Sequence, residues 1–189
     1  MDTIQPQRAT GQPEARSTAG DAPLLWASSF FALAVLIHGA DHTRRGADSV
    51  GSDVFWLGTS AIALEVAIVV LGCQRHRLAP LAAFAGGASL AMGYVVVHFL
   101  PGRSWLSDSF TGAVGVSALS WFAASLEVVA ATTLGVVGFG VLRARGGLVS
   151  PTQPNPAQRS LRDAVLHPVA VIMIVGNAAL LVISLADRL

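Results

Sequence analysis

The segment LIHGADH, residues 36–42, carries two histidines four positions apart, with an aspartate directly before the second. Residues at that spacing stand one turn apart on the same face of a helix, the usual way to present two imidazoles to one metal ion. Asp41 lies three positions beyond His38, where a carboxylate can orient a ring N–H as it does behind many ligand histidines. The competing expectation is structural: the helix ends at Gly39, and Asp41 and His42 simply meet water. His38 has a long apolar run behind it, so it leads, with Asp41 and His42 as secondary candidates.

Two carboxylates sit inside apolar stretches. Glu65 falls near the middle of VFWLGTSAIALEVAIVVLGC, and Glu127 falls in ALSWFAASLEVVAATTLGVVGFGVL. An ionised group at such a position is costly unless it is paired, protonated or facing water, so it marks a functional site by default. On helical spacing Glu65 shares a face with Gly58, Ala61 and Gly72, and Glu127 with Ser120, Ala123, Ala124 and Ala131. Small residues mark helix–helix contact, so both carboxyls should point into a bundle. The structural alternative is a protonated glutamate bonding a neighbouring helix. His98 lies on a stripe with Gly87, Ala91 and Tyr94. Asn177, next to Gly176, suits an interhelical hydrogen bond worth on the order of 1 kcal/mol. His38, Glu65, His98 and Glu127 are thus the main candidates for a metal or proton site, and His42, Asp41, Tyr94 and Asn177 support them. His76 and His167 read as loop residues.

The elements that must position these residues follow from composition. Of 189 residues, 53% are hydrophobic and only 12% charged, against about 25% charged in a soluble domain. The charges cluster between long apolar stretches, which predicts an all-α integral membrane protein. Five transmembrane helices are expected, at about 23–42, 54–73, 79–100, 118–142 and 168–187, following a disordered tail over 1–22. Pro101 closes the third span by lacking an N–H, and Pro168 suits the first turn of the fifth. All twelve basic residues are arginine and the net charge is +1, with no basic patch of the kind nucleic acid needs. Cys73, the single cysteine, has no partner for an intrachain disulfide.

Arginines at positions 8, 16, 75, 77, 143, 145, 159 and 162 fall on one side of these spans, and those at 44, 45, 103 and 188 on the other. The positive-inside rule then places a multi-pass protein in the plasma membrane, with a cytoplasmic N-terminus and the C-terminus outside. The lipid bilayer is the expected surrounding, and a homo-oligomer or a membrane-complex partner is expected within it.

SAIALEVAIVVLG and FAASLEVVAATTLG resemble each other. Each follows a helix with a late histidine, His38 or His98, and an Asp-Ser pair ten residues after that histidine. Two repeated helical hairpins plus a C-terminal helix are therefore expected. At about 1.5 Å rise per residue, His38 would lie roughly 6 Å below the outer surface and the two glutamates roughly 13–18 Å below it. That gap predicts a shared outer-half cavity in place of one tight coordination sphere. The residues point to a membrane protein binding a transition metal, or a b-type haem held by His38 and His98, with a redox role. A proton-linked small-molecule transporter using Glu65 and Glu127, and a non-catalytic subunit or assembly factor, are the alternatives. No nucleophile–base arrangement is visible, so any enzymatic activity would rest on the metal.

Overall fold

Apolar stretches of this length satisfy their backbone internally as helices, and each of them does so here. The structure, a computed structural model, describes residues 22–46, 49–101, 107–145 and 168–186. The expected N-terminal tail, the linker before the fifth helix with His167, and the arginines at 8, 16, 103, 159, 162 and 188 lie outside the described residues.

Five helices follow one another: α1 (Ala22–Arg45), α2 (Ser52–Cys73), α3 (Ala79–Tyr94), α4 (Ala118–Ala144) and α5 (Pro168–Ala186). α3 runs directly into a π-helical turn, Val95–Phe99. No strand occurs among the described residues. α1, α2, α3 with its π turn, and α4 are each long and apolar enough to cross a membrane, whereas α5 contributes a shorter apolar run, Ala170–Ala179.

Helix α1 does not stop at Gly39. It continues through Arg45, three residues beyond the expected end at 42, so Asp41, His42 and both following arginines are helical. The Thr43 hydroxyl donates to the Gly39 carbonyl at 3.0 Å, bridging the turn that glycine weakens. Gly46 then ends the helix with φ of 84°, a left-handed conformation that costs glycine little.

Small residues set the packing. α4 lies against α3 and α1, while α2 contacts α3 and α1, and α5 contacts α1 and α2. The α3–α4 seam is the closest: a Cβ on Gly87 would stand 2.6 Å from the Ala131 carbonyl oxygen, and one on Gly138 2.6 Å from the Phe84 nitrogen. Gly135 and Gly138 of the GVVGFG cluster at 135–140 therefore serve helix approach. Phe31, Val69, Leu134 and Met173 fill the centre. Trp26, Trp56, Met92, Phe122, Val136 and Ile172 point outward and are exposed, an apolar exterior suited to lipid in place of water.

Candidate functional site

The site lies where the C-terminal ends of α1 and α3 meet the N-terminal half of α4. His38 and His42 share one face of α1, and their Nε2 atoms are 2.8 Å apart. The π turn carries His98 to them: its ring centroid is 4.7 Å from that of His38 and 5.6 Å from that of His42. A π turn widens the helix locally and is frequent at functional positions. Here it falls on Val95-Val96-Val97, a β-branched run that a regular helix accommodates poorly. One nitrogen from each of the three histidines lies within 4.8 Å of the others.

Carboxylates stand behind the rings. His38 Nδ1 is 3.3 Å from Glu127 Oε2, so the expected depth gap between His38 and this glutamate is closed. The estimate failed because α1 continues well past His38 and because helices can shift along one another. Asp108 Oδ2 is 3.4 Å from His98 Nδ1 and 4.0 Å from His42 Nδ1. In all three rings Nδ1 faces a carboxylate, which leaves the Nε2 side for other partners.

Asp108 arrives on the segment 107–110, which folds back onto the end of α3. Its N–H donates to the Val97 carbonyl at 3.1 Å, and the Phe110 N–H donates to the His98 carbonyl at 3.0 Å. Two carbonyls that the helix end would strand are thereby satisfied. Phe110 packs on His98 with ring centroids 4.8 Å apart. Arg45 grips Asp108 with two bonds of 2.9 Å, Nη1 to Oδ2 and Nη2 to Oδ1, and its guanidinium lies 5.2 Å over the Phe110 ring. Burial alone would push the Asp108 carboxyl up, but hydrogen bonds with His98 and Arg45 and the Arg45 charge outweigh it and bring it down to about 2. Two like-acting supports thus keep this carboxylate charged.

Asp41 turns away from the histidines. It pairs with Arg44 at 2.8 Å, and Arg44 reaches on to Ser120 Oγ at 3.1 Å, tying α1 to the start of α4. The expectation that Asp41 orients a histidine therefore gives way to a tethering contact. Glu65 lies one layer further in and accepts a hydrogen bond from the Tyr94 hydroxyl. That hydroxyl also faces Glu127, so Tyr94 links the two glutamates. Glu65 Oε2 is buried without a hydrogen-bond partner. Asn177 donates from Nδ2 to the Met173 carbonyl of its own helix at 2.9 Å, which leaves its buried Oδ1 unpartnered. The interhelical bond expected of Asn177 is not among its contacts.

His38, His42, His98 and Glu127 therefore form one cluster, with Tyr94 and Glu65 adjoining it. Asp108 and Arg45 belong to that cluster and were not expected as site residues. One signal pointed to them: an arginine pair on the arginine-poor side needs nearby carboxylates to hold it. The hairpin repeat gains no support from this arrangement. His38 and His98 do meet, yet α1 stays α-helical there while α3 does not, and Asp48, the counterpart of Asp108, lies outside the described residues.

A cavity of about 330 Å³ opens beside the cluster, bounded by α1, α2 and α3 and reaching Glu127 and Asn177. Comparison with protein-family models, curated proteins and solved structures found no match to this chain.

Proposed function

We propose that this is an integral membrane protein that binds one transition-metal ion through His38, His42 and His98. The observation that carries this reading is the convergence of three imidazoles, His38 and His98 buried and His42 partly so, each with Nδ1 3.3–4.0 Å from a carboxylate oxygen. Neutral imidazole is the common ligand for zinc, copper, iron and nickel. A carboxylate behind the ring fixes its tautomer and raises its basicity. Tetrahedral geometry with M–N of about 2.0–2.1 Å needs donor nitrogens about 3.3 Å apart. The observed 2.8 Å for one pair and an outer limit of 4.8 Å for the set bracket that value. Small ring rotations are enough to reach it. Glu127 and Asp108 supply negative charge near a dication, and the fourth ligand position faces the cavity.

A b-type haem fits less well. Its axial histidines must stand on opposite sides of a macrocycle, whereas His38 and His98 touch and His42 packs on both. The proton-linked reading retains one supporting observation, the Tyr94 hydroxyl between Glu65 and Glu127. Proton flux in vesicles that stops in Glu65→Gln, in protein stripped of metal, would favour that reading over the metal site.

In this proposal α5 is a fifth span, the N-terminus is cytoplasmic and the cluster lies in the outer half of the plasma membrane. Arg44 and Arg45 are engaged with Asp41 and Asp108, which weakens them as opposing topogenic charges. The deciding experiment is metal analysis of detergent-purified full chain from metal-replete cells, followed by Co²⁺ titration read by visible absorbance. About one ion per chain is expected, with loss in His38→Ala, His42→Ala and His98→Ala. A preparation without metal that also leaves the Co²⁺ spectrum unchanged would sink the proposal.

A further inference from the structure

The cavity has features that an ion alone does not require. Its walls are mostly apolar, and no arginine lines it among the described residues. Its volume, about 330 Å³, falls at the lower end of the range of about 300–1,000 Å³ for pockets that enclose small organic molecules. Two of its lining residues, Glu65 and Asn177, each hold a buried side-chain oxygen, Oε2 and Oδ1, without a hydrogen-bond partner. Both residues are nearly inaccessible, at 2% and 4% exposure. Buried polar atoms normally have partners.

Two glycines on the walls behave unlike those of the α3–α4 seam. Gly58 of α2 and Gly93 of α3 line the cavity, yet a Cβ added to either meets nothing within 4 Å. Neither glycine is there for close packing. Both are exposed, as are the neighbouring lining residues Leu57 and Ser89. The cavity is therefore open between α2 and α3, at a level that faces lipid when these helices span the membrane.

We infer that the cavity binds a small, uncharged, lipid-soluble molecule with a hydroxyl head, which enters laterally from the bilayer between Gly58 and Gly93. The apolar walls accept the body of such a molecule. The hydroxyl satisfies Asn177 Oδ1 by donating, and its own oxygen accepts from Glu65 Oε2 when that oxygen carries the carboxyl proton. A carboxylic acid is disfavoured, because an anion would face Glu65 and Glu127 with no arginine to offset it. The inference rests on the membrane-spanning reading of the helices and not on a bound ion.

The test uses the full chain in lipid nanodiscs, with metal removed by chelator, titrated calorimetrically with 4-butylphenol and with its methyl ether, 4-butylanisole. Saturable binding of the phenol above that of empty nanodiscs is expected, with the ether at least tenfold weaker. Gly58→Leu and Gly93→Leu should each weaken phenol binding at least tenfold while thermal melts stay at the wild-type temperature. Heats equal to those of empty nanodiscs, equal binding of phenol and ether, or wild-type binding by both leucine variants would overturn the inference. The phenol–ether comparison needs no variant, so it stands even where a leucine disturbs folding. Co²⁺ uptake by the same protein reads the metal proposal separately.

Discussion

Asp108 holds three groups at once: His98, His42 and Arg45. Removing its charge leaves Arg45, whose side chain is fully buried, without its carboxylate. Breaking one side of a buried ion pair typically costs about 3–5 kcal/mol. Asp108→Asn should therefore unfold at markedly lower denaturant concentration than wild type in detergent. Its pH behaviour follows from the lowered carboxyl. The stabilisation is full above the unfolded-state value of 3.8 and is lost as pH falls through about 2. Metal-free wild type should show an acid-unfolding limb in that window, read by circular dichroism, and Asp108→Asn should lack it. Glu127 acts differently, since it backs His38 alone. Glu127→Gln should keep metal stoichiometry but lower affinity roughly 10–100-fold, measured by competition with a chelator of known strength.

At the scale of the helices, the α3–α4 seam is where a methyl group matters most. In Gly87→Ala the new Cβ would meet backbone of α4 at 2.6 Å, and backbone cannot rotate aside as a side chain can. Overpacking of this kind costs about 1–3 kcal/mol. Gly140→Ala meets nothing within 4 Å, so it should be neutral or stabilising by up to about 1 kcal/mol. A denaturation series on the two variants reads the difference directly. A helix contact at this face of α4 was legible in advance, because Ser120, Ala123, Ala124 and Ala131 share the helical face of Glu127. The inward direction of both glutamates was legible for the same reason. The end of α1 was not. Gly39 looks like a stop on local propensity, but contacts made by Arg44 and Arg45 with residues more than sixty positions away hold the last turn. Spacing marks an Asp-Ser pair ten residues after His98 but not its role, because the place of Asp108 depends on how its loop folds back onto the π turn.

Among the described residues the helices present apolar side chains outward, and the buried histidines and carboxylates gather towards one end. Composition made that class readable, since only 12% of the residues are charged and they cluster between long apolar stretches. The sidedness rests on how those arginines divide. Alkaline phosphatase fused after Leu189 should be active outside the cell, and the same reporter fused after Arg145 should be inactive. The opposite pattern would place the histidine cluster on the cytoplasmic side and change which metal pool it meets.

The return of segment 107–110 onto α3 also orders events during synthesis. Arg45 precedes Asp108 by 63 residues. At about 5–20 residues per second, α1 waits roughly 3–13 s in the translocon or membrane before its counter-charge is made. His38 waits longer still for Glu127. Until α3 is made, the two histidines of α1 lack their long-range partner His98, and Arg45 lacks Asp108 for ten residues more. The cluster therefore stays incomplete until α4 has been made, and the core closes only when α5 brings Met173 to it.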